Sequence, residues 1–156
     1  MKKVFASLLS LAMIMSISGS AFAASETVVM SKVNASSIFY DIEPNNNIYE
    51  ASPFGVPGSV KGKTDYNYDK EDFYKFTAPS YGTLQLVLTP LSKDTEFLLG
   101  LYYPNGAKVV AESNDGGPGD TQVILTDVNK GQEYIIKVRH SFNYGGGHYL
   151  LNSSIN

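Results

Sequence analysis

The chain has no cysteine and no tryptophan, and beyond Ile17 it has no long apolar run. Without cysteine there is no disulfide framework, the usual support of a small exported domain. A thiol nucleophile, a thiolate metal site and a lipid-modified cysteine are excluded as well. There is no basic run and no arginine cluster, so the electrostatic footprint of a nucleic-acid binder is missing. A membrane-spanning helix needs about 20 consecutive apolar residues, and no segment after Ile17 supplies them.

The apolar run that does exist stands at the N-terminus. Lys2 and Lys3 precede it, Val4 to Ile17 form it, and Ser18-Gly19-Ser20 and Ala21-Phe22-Ala23 follow. A short positive segment, an apolar stretch too short to span and an A-x-A tripeptide have the form of a cleavable secretory signal. An uncleaved anchor is the alternative. Cleavage after Ala23 leaves 133 of 156 residues and moves the formal charge from −3 to −5. The expectation is an extracellular, mildly acidic monomer with enough chain for one core and no membrane contact after cleavage. Such a core, or a metal, must do the work of the missing disulfides.

Residues 24–40 are rich in Ser, Val and Ala with no clear period, and read as a flexible leader or an added edge strand. Ile42 to Pro57 is dense in Pro and Asn, which is loop chemistry. From there on, period two dominates. Leu84, Leu86 and Leu88 alternate with Gln85, Val87 and Thr89. Phe97, Leu99, Leu101 and Tyr103 repeat the pattern, Val123 and Leu125 do so briefly, and Tyr134, Ile136 and Val138 alternate with Ile135, Lys137 and Arg139. Short strands also fit Asp72–Thr77, Ala107–Ser113 and His148–Asn152. Pro104-Asn105-Gly106 reads as a hairpin turn, Lys130-Gly131 as a tight turn, and Gly145-Gly146-Gly147 as a flexible tip. Alternation at this spacing predicts an all-β, antiparallel, jelly-roll-like sandwich of seven to eight strands over residues 41–156.

Two oxygen-rich segments stand out: Asp41-Ile42-Glu43-Pro44-Asn45-Asn46-Asn47, and Thr64-Asp65 followed by Asp69-Lys70-Glu71-Asp72. Carboxylates and amide carbonyls are hard donors, and calcium takes six to eight of them. In an extended segment Asp41, Glu43 and Asn45 project to one side. Left without a cation, carboxylates held this close raise one another's pKa. The plainer alternative is a pair of solvated loops, since Asp and Asn favour turns and no EF-hand spacing is present.

The ordered series Glu43-Pro44-Asn45-Asn46, Asp69-Lys70-Glu71-Asp72-Phe73-Tyr74-Lys75-Phe76, Gly82-Thr83-Leu84, Leu101-Tyr102-Tyr103-Pro104-Asn105-Gly106 and Gly131 to Val138 resembles the bacterial pre-peptidase C-terminal domain. In clostridial collagenases that module is the collagen-binding domain. The resemblance implies a calcium site built from Asp41, Glu43, Asn45, Asn46, Thr64, Asp69 and Asp72. Asn46 departs from it, since calcium-binding collagenase modules carry an aspartate there, and one charge fewer weakens affinity. Millimolar calcium outside a cell still suffices for a site of roughly 10⁻⁴–10⁻³ M. The resemblance also implies an aromatic-lined binding face. Tyr102, Arg139, His140, Tyr144 and Tyr149 are the candidates, although Arg139 and His140 stand where collagen-binding relatives carry tyrosines.

No catalytic constellation accompanies these residues. His140 and His148 are the two histidines, set near the ends of the last two strands where a hairpin would face them together. No zinc-protease spacing or G-x-S-x-G elbow surrounds them. The expected function is therefore a secreted, non-catalytic, calcium-stabilised module attaching to an extracellular polymer. The competing readings are an accessory, chaperone or inhibitor of a secreted protease, and a small hydrolase.

Overall fold

Alternating side chains need two surfaces, one to bury and one to wet, and two packed sheets provide both. The computed structural model describes residues 38–114, 116–141 and 146–156, which belong to one compact unit, Val33–Asn156. The export signal, most of the 24–40 leader, Phe142 and Tyr144 lie outside the described residues. The strands are β1 (Ile38–Tyr40), β2 (Ser52–Pro53), β3 (Gly58–Lys63), β4 (Glu71–Thr77), β5 (Gly82–Pro90), β6 (Phe97–Tyr102), β7 (Val109–Ser113), β8 (Gln122–Val128), β9 (Glu133–His140) and β10 (His148–Ile155). No helix among the described residues is long and apolar enough to cross a membrane.

The first sheet runs β1-β3-β10-β5-β8 and the second β2-β4-β9-β6-β7. The all-β sandwich expected from the sequence is thus present. Its eight longer strands pair antiparallel, and two short strands, β1 on β3 and β2 on β4, add parallel edges. β1 occupies the end of the segment read as a leader or an added edge strand. β3 was not foreseen, because Gly-Ser-Val-Lys-Gly-Lys offers only Val60 as an apolar inward residue. Glycine at 62 has its own reason: a Cβ there would lie 2.3 Å from the ring of Tyr149.

Leu84, Leu86, Leu88, Tyr149 and Leu151 of the first sheet meet Tyr74, Phe76, Phe97, Leu99, Leu101, Tyr134, Ile136 and Val138 of the second in one core. Fully burying each such side chain stabilises by about 1.5–3 kcal/mol. Phe76 stacks on Tyr134 with centroids 5.5 Å apart, and Phe97 meets Tyr149 edge-on at 5.2 Å. The Pro104-Asn105-Gly106 turn joins β6 to β7, with Gly106 at φ 66°.

Three local expectations change. On β8 the alternation is inverted: Gln122, Ile124 and Val128 are buried while Val123 and Leu125 face solvent. Gln122 is accommodated inside because its Oε1 accepts a hydrogen bond from Ser113 Oγ at 2.8 Å. β9 and β10 lie in different sheets, so His140 and His148 do not face each other across a hairpin. Gly146 and Gly147 pack closely instead of forming a free tip. A Cβ on Gly146 would lie 2.4 Å from Thr64 O, and Gly147 O accepts from Thr64 N at 3.1 Å.

The register of β8 gives a direct test. Ile124→Ala should cost about 2–5 kcal/mol and Leu125→Ala within about 0.5 kcal/mol, as read by urea unfolding. The reverse ranking would show that the sequence alternation, and not this register, describes the strand.

Candidate functional site

Asp72 owes its position to strand parity. On β4, Tyr74 and Phe76 face the core and Glu71, Phe73 and Lys75 face outward, so the residue two before Tyr74 must also point in. It is fully buried. Asp41 arrives from the other sheet: its N–H donates to Lys61 O at 3.0 Å, extending the β1–β3 ladder by one residue. The Ile42–Ala51 segment then crosses to the second sheet, where Asn45 O accepts from Phe73 N at 2.8 Å. The result is an acidic cluster at the mouth of the sandwich, with carboxylate oxygens of Asp41, Glu43 and Asp72 within 4.8 Å of one another.

The remaining predicted ligands gather around it. Asn45, also fully buried, donates from Nδ2 to Asp41 Oδ1 at 2.7 Å and from its backbone N–H to Glu43 Oε2 at 3.1 Å. Asp69 is held in a small bridge with Asp65 and lies against the carboxyl groups of Glu43 and Asp72. Asn46, its amide nitrogen turned inward, donates to Asp69 Oδ1 and to Glu71 O at 3.3 Å. Thr64 follows β3 directly, buried, one residue before that bridge. An open recess bordered by Tyr40, Lys61, Lys63 and His148 reaches Asp41, Glu43 and Asp69.

Two tyrosines that the sequence did not connect with the cluster complete it. Tyr74 OH of the second sheet donates to Asp41 Oδ1 at 2.9 Å, and Tyr149 OH of the first is hydrogen-bonded to Asp72 Oδ2. The two hydroxyls lie 2.5 Å apart. Tyr149 is therefore fully buried and is no part of a binding surface. On β10 it shares the inward parity of Leu151, and its hydroxyl finds its partners inside.

Electrostatics mark the cluster as under strain. Burial, then the neighbouring charges of Asp41, Asp69 and Glu43, push Asp72 up to about 9 against the Tyr149 hydrogen bond. Burial and the Glu43 charge raise Asp69 to about 6, and burial raises Asp41. Tyr74 and Tyr149 are both raised, chiefly by burial, and stay neutral. The Asp41–Tyr74–Tyr149–Asp72 chain has three links but only two hydroxyl protons, so a third proton, on a carboxyl group, would be needed to fill every link. Even so, among the described residues four buried oxygens have no hydrogen-bond partner: Asp41 Oδ2, Asn45 Oδ1, Thr64 Oγ1 and Asp72 Oδ1. An unsatisfied buried acceptor costs about 1–3 kcal/mol, more when charged. A hard cation satisfies such oxygens directly, so the donor set fits calcium chemically.

The other surface candidates divide. Tyr102 and Arg139 lie on the outer face of the second sheet with Glu71, Phe73, Leu98, Ile135 and Lys137. Gly100 has no side chain there, and the Tyr102 ring fills the space a Cβ would take, with its hydroxyl on Glu112. Lys137 Nζ bonds Glu71 at 2.8 Å and sits over the Phe73 ring. Three recesses run along this face and share walls: Tyr102 and Lys137 are common to the first and second, Arg139 to the second and third. His140 is buried and reaches only the wall of the third recess. Its even-numbered parity on β9 turns it inward beside Tyr66, and burial followed by Lys70 lowers its pKa.

No protein-family model matches the chain, and no curated protein matches it. Among solved structures, the pre-peptidase C-terminal domain of a collagenase from Bacillus anthracis superposes with a TM-score of 0.56 at 19% identity, covering 66% of this chain and 93% of that one. The fold is that of a pre-peptidase C-terminal domain. A periplasmic inhibitor of g-type lysozyme from Aeromonas hydrophila aligns at a TM-score of 0.49 and 16% identity, over 76% of this chain and 97% of its own.

A pH profile tests the cluster. Asp72 rises from 3.8 unfolded to about 9 folded, and Asp69 from 3.8 to about 6. The cation-free native state therefore binds protons that the unfolded chain releases, and its stability is greatest near the unfolded value. Melting temperature in chelator should fall as pH climbs from about 4 to about 9. A rise over that interval would show the carboxylates to be ionised and stabilised without a cation.

Proposed function

We propose that this chain is a secreted, non-catalytic module that binds calcium at Asp41, Glu43, Asn45, Asn46, Thr64, Asp69 and Asp72 and attaches to an extracellular polymer through the outer face of its second sheet. The four buried oxygens without donors carry the calcium reading. A bare acidic cluster on a surface would be hydrated. Here the oxygens are closed off from water and belong to four of the residues that the family resemblance names. Calcium would supply charge neutralisation and would fasten the Asp41–Asn46 segment to the Asp69–Asp72 turn. A ligand that binds only the folded state stabilises it by mass action, by about 2.7 kcal/mol at one hundred times its Kd.

The groove supports the binding reading. From Ile135 to Arg139 along β9 it extends about 13 Å, with apolar floor at Phe73, Leu98 and Ile135 and charged or hydroxyl groups along its walls. That form suits a linear chain more than a small compact ligand.

Calcium should raise the melting temperature of the chelated protein by several degrees and release a proton, because Asp72 must ionise. Calorimetric titration in two buffers of different ionisation enthalpy reads that proton. Asp72→Asn should melt no lower than the parent in chelator yet gain nothing from calcium; an unchanged melt of the parent in excess calcium would refute the site. For the groove, retention on insoluble collagen, cell wall or chitin should be lost in Gly100→Trp. Retention on none of them, together with altered activity of a co-purifying secreted protease, would favour the accessory reading.

A further inference from the structure

The inverted alternation of β8 is explained by neither the calcium site nor the groove. Val123 and Leu125 face outward, 43% and 65% exposed, on a strand at the end of its sheet. Edge strands of soluble proteins ordinarily carry charge or proline in such positions. The register places Val123 beside Val87, Asn152, Ser59 and Ile38 in one row across all five strands. The adjacent rows hold Leu125, Gln85 and Ser154 on one side, and Thr89, Leu150, Lys61 and Tyr40 on the other. Ile38 and Tyr40 are exposed at 58% and 75%. The central row of this face carries no charge, and Lys61 lies in the row beside it.

We infer that the outer face of the first sheet is a self-association surface, and that its partner is a second copy of this chain. Five strands about 4.8 Å apart and about six residues of 3.3 Å each give roughly 24 by 20 Å. Two copies crossed at a right angle overlap over roughly 20 by 20 Å and bury about 800 Å² in all, the scale of a weak, transient association. The charges at the rim complement themselves. Lys61 and Lys63 occupy one corner, bordering the recess that reaches Asp41, Glu43 and Asp69, and Asp127 the diagonally opposite one, where Thr83 is its hydrogen-bond partner. A two-fold pairing with the strands crossing near a right angle sets each lysine corner against the other copy's Asp127. The chain as a whole is acidic, so a face whose central row is uncharged brings two copies together with little repulsion. A dimer would stand against the expectation of a monomer, and, on the binding reading proposed above, its two polymer-binding faces would point in opposite directions, giving a bivalent particle.

Sedimentation of the mature protein from micromolar to submillimolar concentration should show a reversible dimer. Leu125→Lys, at an exposed position that leaves the fold of the monomer intact, should weaken it by at least about tenfold. Lys61→Asp and Asp127→Lys should each weaken it, and the double variant should recover association. A monomer at every concentration overturns the inference, as does a dimer indifferent to Leu125→Lys. If instead the monomer binds an uncharged polymer such as cellulose through Leu125, the face belongs to a polymer and the self-association is refuted.

Discussion

A pair of buried tyrosine hydroxyls holds the arrangement together. Tyr74 rises from one sheet and Tyr149 from the other; they touch, and each reaches a carboxylate, Asp41 on the incoming segment and Asp72 on β4. The contact therefore joins three parts that have no covalent cross-link: two sheets and the N-terminal approach. In a protein without cysteine, this polar chain stands where a disulfide would. It differs in being conditional, because its carboxylates remain under-satisfied until a cation or protons neutralise them.

The cluster and the groove are not independent regions. Glu71 and Asp72 are consecutive, so strand parity sends one outward to Lys137 and Arg139 and the other inward to the acidic mouth. Asn46 likewise lines the third recess while lying against Asp69. A shift of β4 at Asp72 would move Glu71, one peptide unit away, and with it the ion pair to Lys137. Both sites are placed by the same ladder of β4 on β9.

The sequence was legible where side chains alternate cleanly. β5, β6 and β9 lie where Leu84–Leu88, Phe97–Leu101 and Tyr134–Val138 put them, with the expected faces buried. It misled on β8, because a hydrogen bond from Ser113 lets Gln122 occupy an inward position and parity then exposes the two aliphatics. It was silent on β3, whose inward glycine is dictated by a ring some 90 residues later in the chain, and sequence spacing does not record such a partner. The acidic segments were visible from composition and from the family's order of motifs. The tyrosine pair was not, since Tyr149 beside a glycine-rich stretch looks like a surface aromatic until the sheet order places it on an inner face. His140 was misplaced for the same reason of parity.

Gly62 and Tyr149 face each other across β3 and β10, the glycine leaving room for the ring. Divergence at either position is therefore not free. A larger residue at 62 displaces the aromatic ring, and with it the hydroxyl that serves Asp72; a smaller residue at 149 leaves a void beside a glycine that no longer has a purpose. Among descendants of this sequence the two positions should change as a unit, with Asp72 following, so that lineages either keep the glycine, the ring and the acid together or have lost all three. An alignment column of glycine in an otherwise unremarkable strand would then report the inheritance of an acidic site on the opposite sheet.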